Sequence, residues 1–343
     1  MNEKYLPCEL CVIKHHFNSK PTKNQIRIKF PSRIHMTPID CNRFDFGTPG
    51  GGGYGFAIDA NNYITVNLAN EDCIKVIDSQ VPVVKHFVHI MKNIFNYERG
   101  INIQIDLDKN MKQHFGLGST AMISCAVIWA INGLFGWSLS KEDCRGILTD
   151  NFCEGYQGTY LLKALDTGVG PYVAFNGGFA IISDNAHIVF SEKMPEEYTV
   201  ILIDNNSKRP DTDLPESIEM LTKSRELDSY YRYYKSYSIL MDIIPAIKNN
   251  DWKKFGKHNL EFQFAGTHLS MIQGYEDHGA NIFSEINDCV SAGAIITGMS
   301  SVGPAIYAIT DRKDSIINMC IQKKNPYYEY RFNNTGMLEE LEL

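Results

Sequence analysis

Glycine in this chain is bunched rather than scattered, and the bunching constrains the fold more than any other feature. Of 26 glycines, groups fall at Gly50-Gly51-Gly52-Gly53 with Gly55, at Gly116 and Gly118, at Gly168 and Gly170, and at Gly177-Gly178. Glycine used in this way marks places where the backbone must come close to something or take positive φ. The most informative group is Gln113-His114-Phe115-Gly116-Leu117-Gly118-Ser119-Thr120-Ala121. It follows the alternating stretch Ile101 to Ile105 and opens an apolar run through Met122, Cys125, Ala126 and Trp129. A strand, a glycine turn and a helix start in that order leave backbone N–H groups free at a helix N-terminus, which carries about half a positive charge. Such a turn holds phosphate without lysines. Its plain alternative is a helix start capped by Ser119. It is not a P-loop, because no Gly-Lys-Ser/Thr follows at the required offset.

The charge balance sharpens the point. Lys and Arg number 33 against 40 Asp and Glu, a net charge of −7, so nothing draws the whole chain toward nucleic acid or anionic lipid. Any polyanion must be bound locally. The 343 residues, 44% of them hydrophobic, suit a globular protein of about two domains at roughly 150 residues each. Met1 to Leu10 lacks the apolar stretch of a secretory signal, and the apolar region Met122 to Trp137 is interrupted by Ser124, Asn132 and Gly133. A cytoplasmic protein off the membrane is expected, its nine scattered cysteines reduced. Cys8, Cys11, His15 and His16 resemble half of a zinc site; the simpler expectation is a mobile N-terminal extension over 1–25.

Along the chain, Gln25 to Ile39 alternates as a half-buried strand, Tyr54 to Ile58 reads as another, and Val81 to Phe95 has helical apolar spacing. Asp166 to Ile182 reads as turn, short element, Gly-Gly turn and strand. Tyr198 to Ile203 is a buried strand that begins a second half. There Glu226 to Ile247 predicts a long helix, with a tyrosine stripe at 230, 231, 233, 234 and 237 expected in the core or an interface. Gly298-Met299-Ser300-Ser301-Val302-Gly303-Pro304 is a polar glycine loop running into a strand, and the tail from Glu339 to Leu343 reads as a solvated helix end.

Four of these pieces, in this order from about Phe30 to Thr310, resemble the GHMP kinase superfamily of galacto-, homoserine, mevalonate and phosphomevalonate kinases. They are Pro31-Ser32-Arg33-Ile34-His35 with Thr37, Ile39-Asp40 and Asn42; His114-x-Gly-Leu-Gly-Ser; Gly168-Val169-Gly170 with Phe175 and Gly177-Gly178-Phe179; and Gly298-x-Ser-Ser-x-Gly-Pro. Within that superfamily they look most like the β-ribofuranosylaminobenzene 5′-phosphate synthases and related C-nucleoside-forming enzymes. The resemblance implies an α+β fold of two domains. A mixed α/β domain with the phosphate loop would span 26–190, and a ferredoxin-like α/β sandwich 191–343. Gly170 stands where many of the kinases place the carboxylate that takes a proton from the substrate hydroxyl, and glycine cannot be a base. The synthase branch has the same glycine.

What the resemblance implies is a transferase that joins phosphoribosyl pyrophosphate to a carboxylated aromatic ring, with loss of pyrophosphate and carbon dioxide. Magnesium would be the cofactor, ATP would not be used, and the protein would be a homodimer. Gly116, Leu117, Gly118, Ser119 and Thr120 would give donors to phosphate, with Gly168 and Gly170 beside them and Ser300, Ser301 and Gly303 closing the other side. Arg33 and His35 would bind a phosphate or the substrate carboxylate, Arg33 as a bidentate fork. Asp40 would sit near ribose hydroxyls or magnesium, and Ser32, Thr37, Asn42 and His114 would complete the binding set. Each has a bland alternative: Arg33 in a surface ion pair, His35 a satisfied strand histidine, Asp40 a turn cap, His114 a loop hydrogen bond. An ATP-dependent kinase and a non-catalytic ligand-binding paralogue are the competing readings. The chain departs from the synthase pattern at Phe44 to Gly53, and at Thr120-Ala121-Met122, Met299 and Val302 a polar or aromatic wall has become apolar. Such a wall points to a different aromatic acceptor.

Overall fold

In the computed structural model residues 11–44, 49–110, 115–156, 160–207, 216–275 and 278–340 are described, 156 and 216–223 by their backbone only. Strands β1 (Gln25–Pro38), β2 (Gly53–Ala69) and β3 (Cys73–Lys75) are followed by α1 (Val81–Ile94), β4 (Gly100–Asp106), α2 (Ser119–Leu134) and α3 (Lys141–Asn151). A hairpin of β5 (Cys153–Tyr156) and β6 (Tyr160–Lys163), then α4 (Val169–Asn176), β7 (Phe179–Ile182) and β8 (Ile188–Glu192), complete the first half. The second half runs β9 (Thr199–Ile203), α5 (Glu216–Ser238), a π turn at Ile239–Ile243, α6 (Ile244–Lys248), α7 (Trp252–Gln263), α8 (Gly266–Gln273) and α9 (Gly279–Ser291). It ends with β10 (Ile296–Met299), β11 (Ile306–Thr310), α10 (Lys313–Lys323), β12 (Tyr327–Tyr330) and β13 (Leu338–Glu339).

Two sheets organise these elements. A seven-stranded sheet has the order β13-β1-β2-β4-β3, with β7 and β8 extending from β2, and a four-stranded antiparallel sheet has the order β10-β11-β9-β12. The alternation of Ile26, Ile28, Phe30, Ile64, Val66, Ile101 and Ile103 places one apolar face of the first sheet on α1 and α2, forming one core. A second core lies between the sheets, where Ile34, Met36, Tyr54 and Phe56 meet Val200, Leu202, Tyr307 and Phe255. A third backs the small sheet with α8, α9 and α10. This is the GHMP kinase-like α+β architecture. The change from one sheet to the other comes after β8, which runs to Glu192, and the chain end then returns to the first sheet through β13 beside β1.

Three local expectations are corrected. Residues 11–24 are not a loose extension. Alternate side chains Cys11, Ile13 and Phe17 pack on the first core, Phe17 stacks on Phe95, and Asn151 holds the Val12 backbone at both its N–H and C=O. Of the tail, Glu339 lies in a strand with Leu338, which is opposite Lys29, rather than in a helix end; 341–343 lie outside the described residues. The tyrosine stripe is not in the core, Tyr230 and Tyr233 each being 73% exposed; that leaves the interface half of the expectation standing as an expectation. The buried face of α5 carries Ser224, Asp228, Lys235 and Ser238 instead, a polar stripe that satisfies its own charges and so needs no apolar pattern.

That polar face ties the halves together. Lys235 and Asp228 are fully buried, 2.7 Å apart, and Lys235 also donates to the Pro38 carbonyl at 3.0 Å. Asp228 accepts from the Cys41 N–H at 2.8 Å and from both the N–H and hydroxyl of Thr267, at 2.9 and 2.6 Å. Gly266, at φ +56, lies against this pair, and a Cβ there would collide with the Asp228 carboxylate. On α7, Gln263 donates to the Met36 carbonyl and accepts from Met299 N–H, so β1 is clamped to β10. Removing Lys235 leaves the carboxylate buried and uncompensated, which costs about 3–5 kcal/mol. Lys235→Met should therefore lower the denaturant midpoint by a corresponding amount. An unchanged midpoint would mean that Asp228 does not carry its charge in the folded state.

Candidate active site

The site begins with an irregularity in β1. Between Phe30 and Ser32 the register against β2 shifts. Before the shift, Ile26, Ile28 and Phe30 face α1 and α2; after it, Ile34 and Met36 serve the core toward the second sheet. The alternate positions Arg33 and His35 thereby face the starts of α2 and α4. The Arg33 guanidinium lies over Gly118, where a Cβ would come within 2.6 Å of Nη2, and a Cβ on Gly170 would be 3.9 Å from its Nε. Gly118 is the N-cap of α2 at φ +66, a left-handed conformation that glycine adopts without strain. No Ser119 side-chain cap forms. Met122 makes the first intrahelical bond, to the Gly118 carbonyl at 3.0 Å, so the amides of Ser119, Thr120 and Ala121 lie ahead of it at the positive helix end. Gly168 opens α4 in the same left-handed manner. Two helix starts and a guanidinium therefore converge on one spot, a cradle of positive character in an acidic chain.

The remaining predicted loops close around that cradle. Ser300 Oγ donates to the Gly116 carbonyl at 2.7 Å, the His35 N–H reaches Ser300 Oγ at 3.3 Å, and the Ser301 N–H donates to the His35 carbonyl at 2.8 Å. The Gly303 N–H closes the turn on Ser300 at 2.9 Å, and the Leu117 carbonyl accepts from Arg33 N–H at 3.3 Å. His35 Nε2 meets Thr167 Oγ1 at 3.0 Å. Burial first, then Arg33 and His268, hold its pKa well below the usual histidine range, so His35 is neutral at neutral pH. Asp166, close in sequence to Gly170 but outside the predicted site residues, is 7% exposed; its Oδ1 accepts from Gly168 N–H at 3.0 Å and its Oδ2 has no hydrogen-bond partner among the described residues. Burial pushes its pKa up to about 6, against the opposing pull of the Gly168 N–H, Arg33 and Arg145.

Asp40 lies across the glycine run from Asp166. Its N–H donates to Gly51, Gly50 N–H donates to the Asp166 carbonyl, and Gly51 N–H reaches Asp184. Asp40 Oδ1 caps the turn at Cys41–Arg43 by accepting from the N–H and the side chain of Asn42, so the turn-capping reading holds for that oxygen. Its Oδ2 faces Arg232 of α5 at 3.8 Å. Nothing in the residue pattern around Arg232 pointed to this contact. Asn42 also donates to the Arg225 carbonyl at 2.9 Å. Ser32 is fully buried at the register shift, accepting from Asn62 at 3.0 Å, and Thr37 is buried against His268, 3.3 Å away. These two hold the strand. His114 lies outside the described residues, as does Cys8.

Among the described residues no group of His, Cys, Asp and Glu is arranged to hold a metal ion. Cys11 packs 4.0 Å from His86, and His15 faces Asp143 at 3.8 Å. The second oxygen of Asp40 faces an arginine, an environment that does not suit a cation. Among the described residues no helix is long and apolar enough to cross a membrane.

The raised pKa of Asp166 makes a stability statement. Between about pH 4 and about pH 6 the native state holds a proton that the unfolded chain has released, so folding weakens as pH rises through that window. Relative to Asp166→Asn, the wild type should lose on the order of 1–3 kcal/mol of unfolding free energy between about pH 4 and about pH 7. Urea titrations of both proteins at the two pH values check this. A constant difference would mean that Asp166 titrates normally.

The model of the GHMP kinases N terminal domain matches residues 83–151, from α1 through the phosphate loop to the end of α3. The chain is 27% identical over 305 residues to the β-ribofuranosylphenol 5′-phosphate synthase of Archaeoglobus fulgidus, covering 83% of this chain and 88% of that protein. It is 24% identical to the protein of the same name from Methanothermobacter thermautotrophicus, over 84% and 90% of the two chains. It is also 22% identical to the mevalonate kinase of Thermococcus sibiricus, over 70% and 68%. Among solved structures, the homoserine kinase of Cytophaga hutchinsonii superposes with a TM-score of 0.65 at 16% identity, covering 94% of this chain and 99% of the other. The mevalonate kinase of Methanococcus jannaschii gives 0.62 at 14%, covering 92% and 100%. The N-terminal domain model of the GHMP kinases thus spans the glycine turn at the start of α2, and the two-sheet architecture throughout is that of homoserine and mevalonate kinases.

Proposed function

We propose that this protein transfers the phosphoribosyl group of phosphoribosyl pyrophosphate to a carboxylated aromatic ring, releasing pyrophosphate and carbon dioxide. The observation that carries the reading is the Arg33 guanidinium held between the first turns of α2 and α4, with Gly170 in place of a carboxylate beside it. The cradle offers an anion fixed hydrogen-bond donors and positive charge in a half-buried setting. A departing pyrophosphate gains charge as the anomeric C–O bond breaks, so donors fixed in advance stabilise the transition state more than the bound substrate. The aromatic carbon bearing the carboxylate forms the new bond to the anomeric carbon, and loss of carbon dioxide returns its electrons to the ring. The Archaeoglobus fulgidus and Methanothermobacter thermautotrophicus relatives are both named for a phosphorylated ribosyl phenol. Asp40 and Arg232, on the far side of the glycine run, suit ribose hydroxyls or an acceptor carboxylate. Magnesium would enter on the diphosphate oxygens of the substrate rather than in a cage of side chains.

A kinase is the second reading, favoured by the Thermococcus sibiricus relative and by the presence of Asp166 near the cradle. Thermal shift separates the two. Phosphoribosyl pyrophosphate with magnesium should raise Tm, and ATP at the same concentration should not, since a ligand stabilises by RT ln(1 + [L]/Kd). Selective stabilisation by ATP would reverse the assignment. Gly118→Val places a Cβ against Arg33 and forces an unfavourable φ, so it should remove the phosphoribosyl pyrophosphate shift. If the shift persists, the phosphate is held elsewhere. Asp40→Asn keeps the cap to Asn42 and should lower pyrophosphate release by about 10²–10⁴-fold with the fold intact; turnover near wild type would take Asp40 out of the reaction.

A further inference from the structure

We propose that Gln80 is a positioning residue of this site: its side-chain amide sets the Thr120 hydroxyl as a hydrogen-bond donor to an anion at the start of α2. This deepens the phosphoribosyl-transfer reading and rests on it. Gln80 ends the short helical turn Asp78–Gln80 and is the N-cap of α1, yet its side chain makes no capping bond there. It reaches across to α2 instead, where Nε2 donates to Thr120 Oγ1 at 3.2 Å. Its Oε1 is buried without a hydrogen-bond partner, so among the described residues the side chain has this one polar contact. The turn has little room to shift. Gln80 N–H is held on the Ile77 carbonyl at 2.9 Å, and a Cβ on Gly155 would come within 3.1 Å of the Ser79 carbonyl. Val83, Val84 and Phe87 then fix the first turns of α1 in the core that it shares with α2.

Thr120 is the second residue of α2, and its own amide is among those that lie ahead of the first intrahelical bond. Gly118, Ser119 and Thr120 are each half-buried, so this turn is open to a ligand rather than sealed. The Thr120 carbonyl accepts from Ser124 Oγ at 2.8 Å, which steadies the turn from below. A hydroxyl has one proton and two lone pairs. The Gln80 amide takes a lone pair of Oγ1, and among the described residues the proton is donated to nothing. What Thr120 offers the site is therefore a donor, and hydrogen bonds to an ionised oxygen are the strong ones. The same contact works against a cation, which at Oγ1 would meet the positive end of the amide N–H beside it. A threonine next to a phosphate can serve as metal ligand or as anion donor, and Gln80 selects the second role. It does so before the ligand arrives, so less ordering remains to be done on binding.

Isothermal titration of the full chain with inorganic pyrophosphate, with and without magnesium, tests this. Thr120→Val should weaken binding by about 10–100-fold in both conditions, as the loss of one hydrogen bond to a charged group. Gln80→Glu is nearly isosteric, but its carboxylate accepts the Thr120 proton and draws it away from the anion, so it should weaken binding by a similar factor. Gln80→Leu should weaken binding in the wild-type background and add nothing to Thr120→Val, because the group that it positions is already gone; a merely structural role would carry its full cost in both backgrounds. Wild-type affinity in Gln80→Glu overturns the inference, as do additive losses in the double variant. A loss in Thr120→Val that appears only with magnesium marks a metal ligand and also overturns it. In each of these cases a phosphoribosyl pyrophosphate thermal shift in the wild type leaves phosphoribosyl transfer standing. Should the Gln80 variants not fold, Thr120→Val decides: an affinity equal to wild type means that there is no donor to position. If the wild type binds neither pyrophosphate nor phosphoribosyl pyrophosphate, the underlying reading and this inference fall together.

Discussion

The buried pair of Lys235 and Asp228 is the interaction on which the site's geometry hangs. Both charges are withdrawn from water, and what makes this tolerable is that their other hydrogen-bonding positions are spent on backbone: the Pro38 carbonyl, the Cys41 N–H and the Thr267 N–H. Those backbone groups are the end of β1, the turn that carries Asp40, and the start of α8. A charge pair that must be satisfied thus fixes where the first sheet meets the helices of the second half. Gln263 does the same with neutral groups one helix away, bridging Met36 and Met299. Between these two clamps, β1 has no freedom to slide, and Arg33 and His35 arrive at the helix starts in one register.

The cradle then follows from backbone more than from side-chain charge. In a protein with net charge −7, the positive character at this spot comes from the dipoles of α2 and α4 and one half-buried arginine, rather than from a patch of lysines. The late loop adds no charge. Ser300 and Ser301 bond to the phosphate loop and to the His35 backbone, so they hold the walls together. Asp166 and Asp40 sit on opposite sides of the Gly50–Gly53 run in contrasting settings. One is desolvated beside two arginines at a distance; the other is capped by Asn42 and faces Arg232. Carboxyl groups in such different surroundings are suited to different tasks.

Much of the fold was legible because it rests on local rules. Alternation marked β1, β4 and β9, helical spacing marked α1, and the glycine turns fell at the starts of α2 and α4. Arg33, Gly118, Ser300 and Gly170 do meet at one place, as the motif order implied. The errors share a cause. Tyr230 and Tyr233 look apolar on a helix and are exposed, while Asp228 and Lys235 look like surface charges and are fully buried. Pattern reading assigns burial by residue type, and fails where a charge is satisfied by a partner two turns along its own helix and by backbone groups from across the chain. The tail of the protein misled in the same way, since a two-residue strand such as β13 is defined by its neighbour β1 and not by its own composition.

The sequence by itself determined the elements, their order, and the glycine turns that create helix starts able to receive an anion, because these depend on backbone conformations only certain residues allow. It also ruled out a lysine-rich phosphate loop. Only the tertiary structure decided that Asp166 is desolvated with one oxygen left without a hydrogen-bond partner among the described residues, that His35 is neutral, and that Asp40 faces Arg232. Protonation and pairing are set by what surrounds a group in space, and the groups that surround these come from β1, α3, α4, α5 and the Gly50–Gly53 run, far apart along the chain and adjacent only once it has folded.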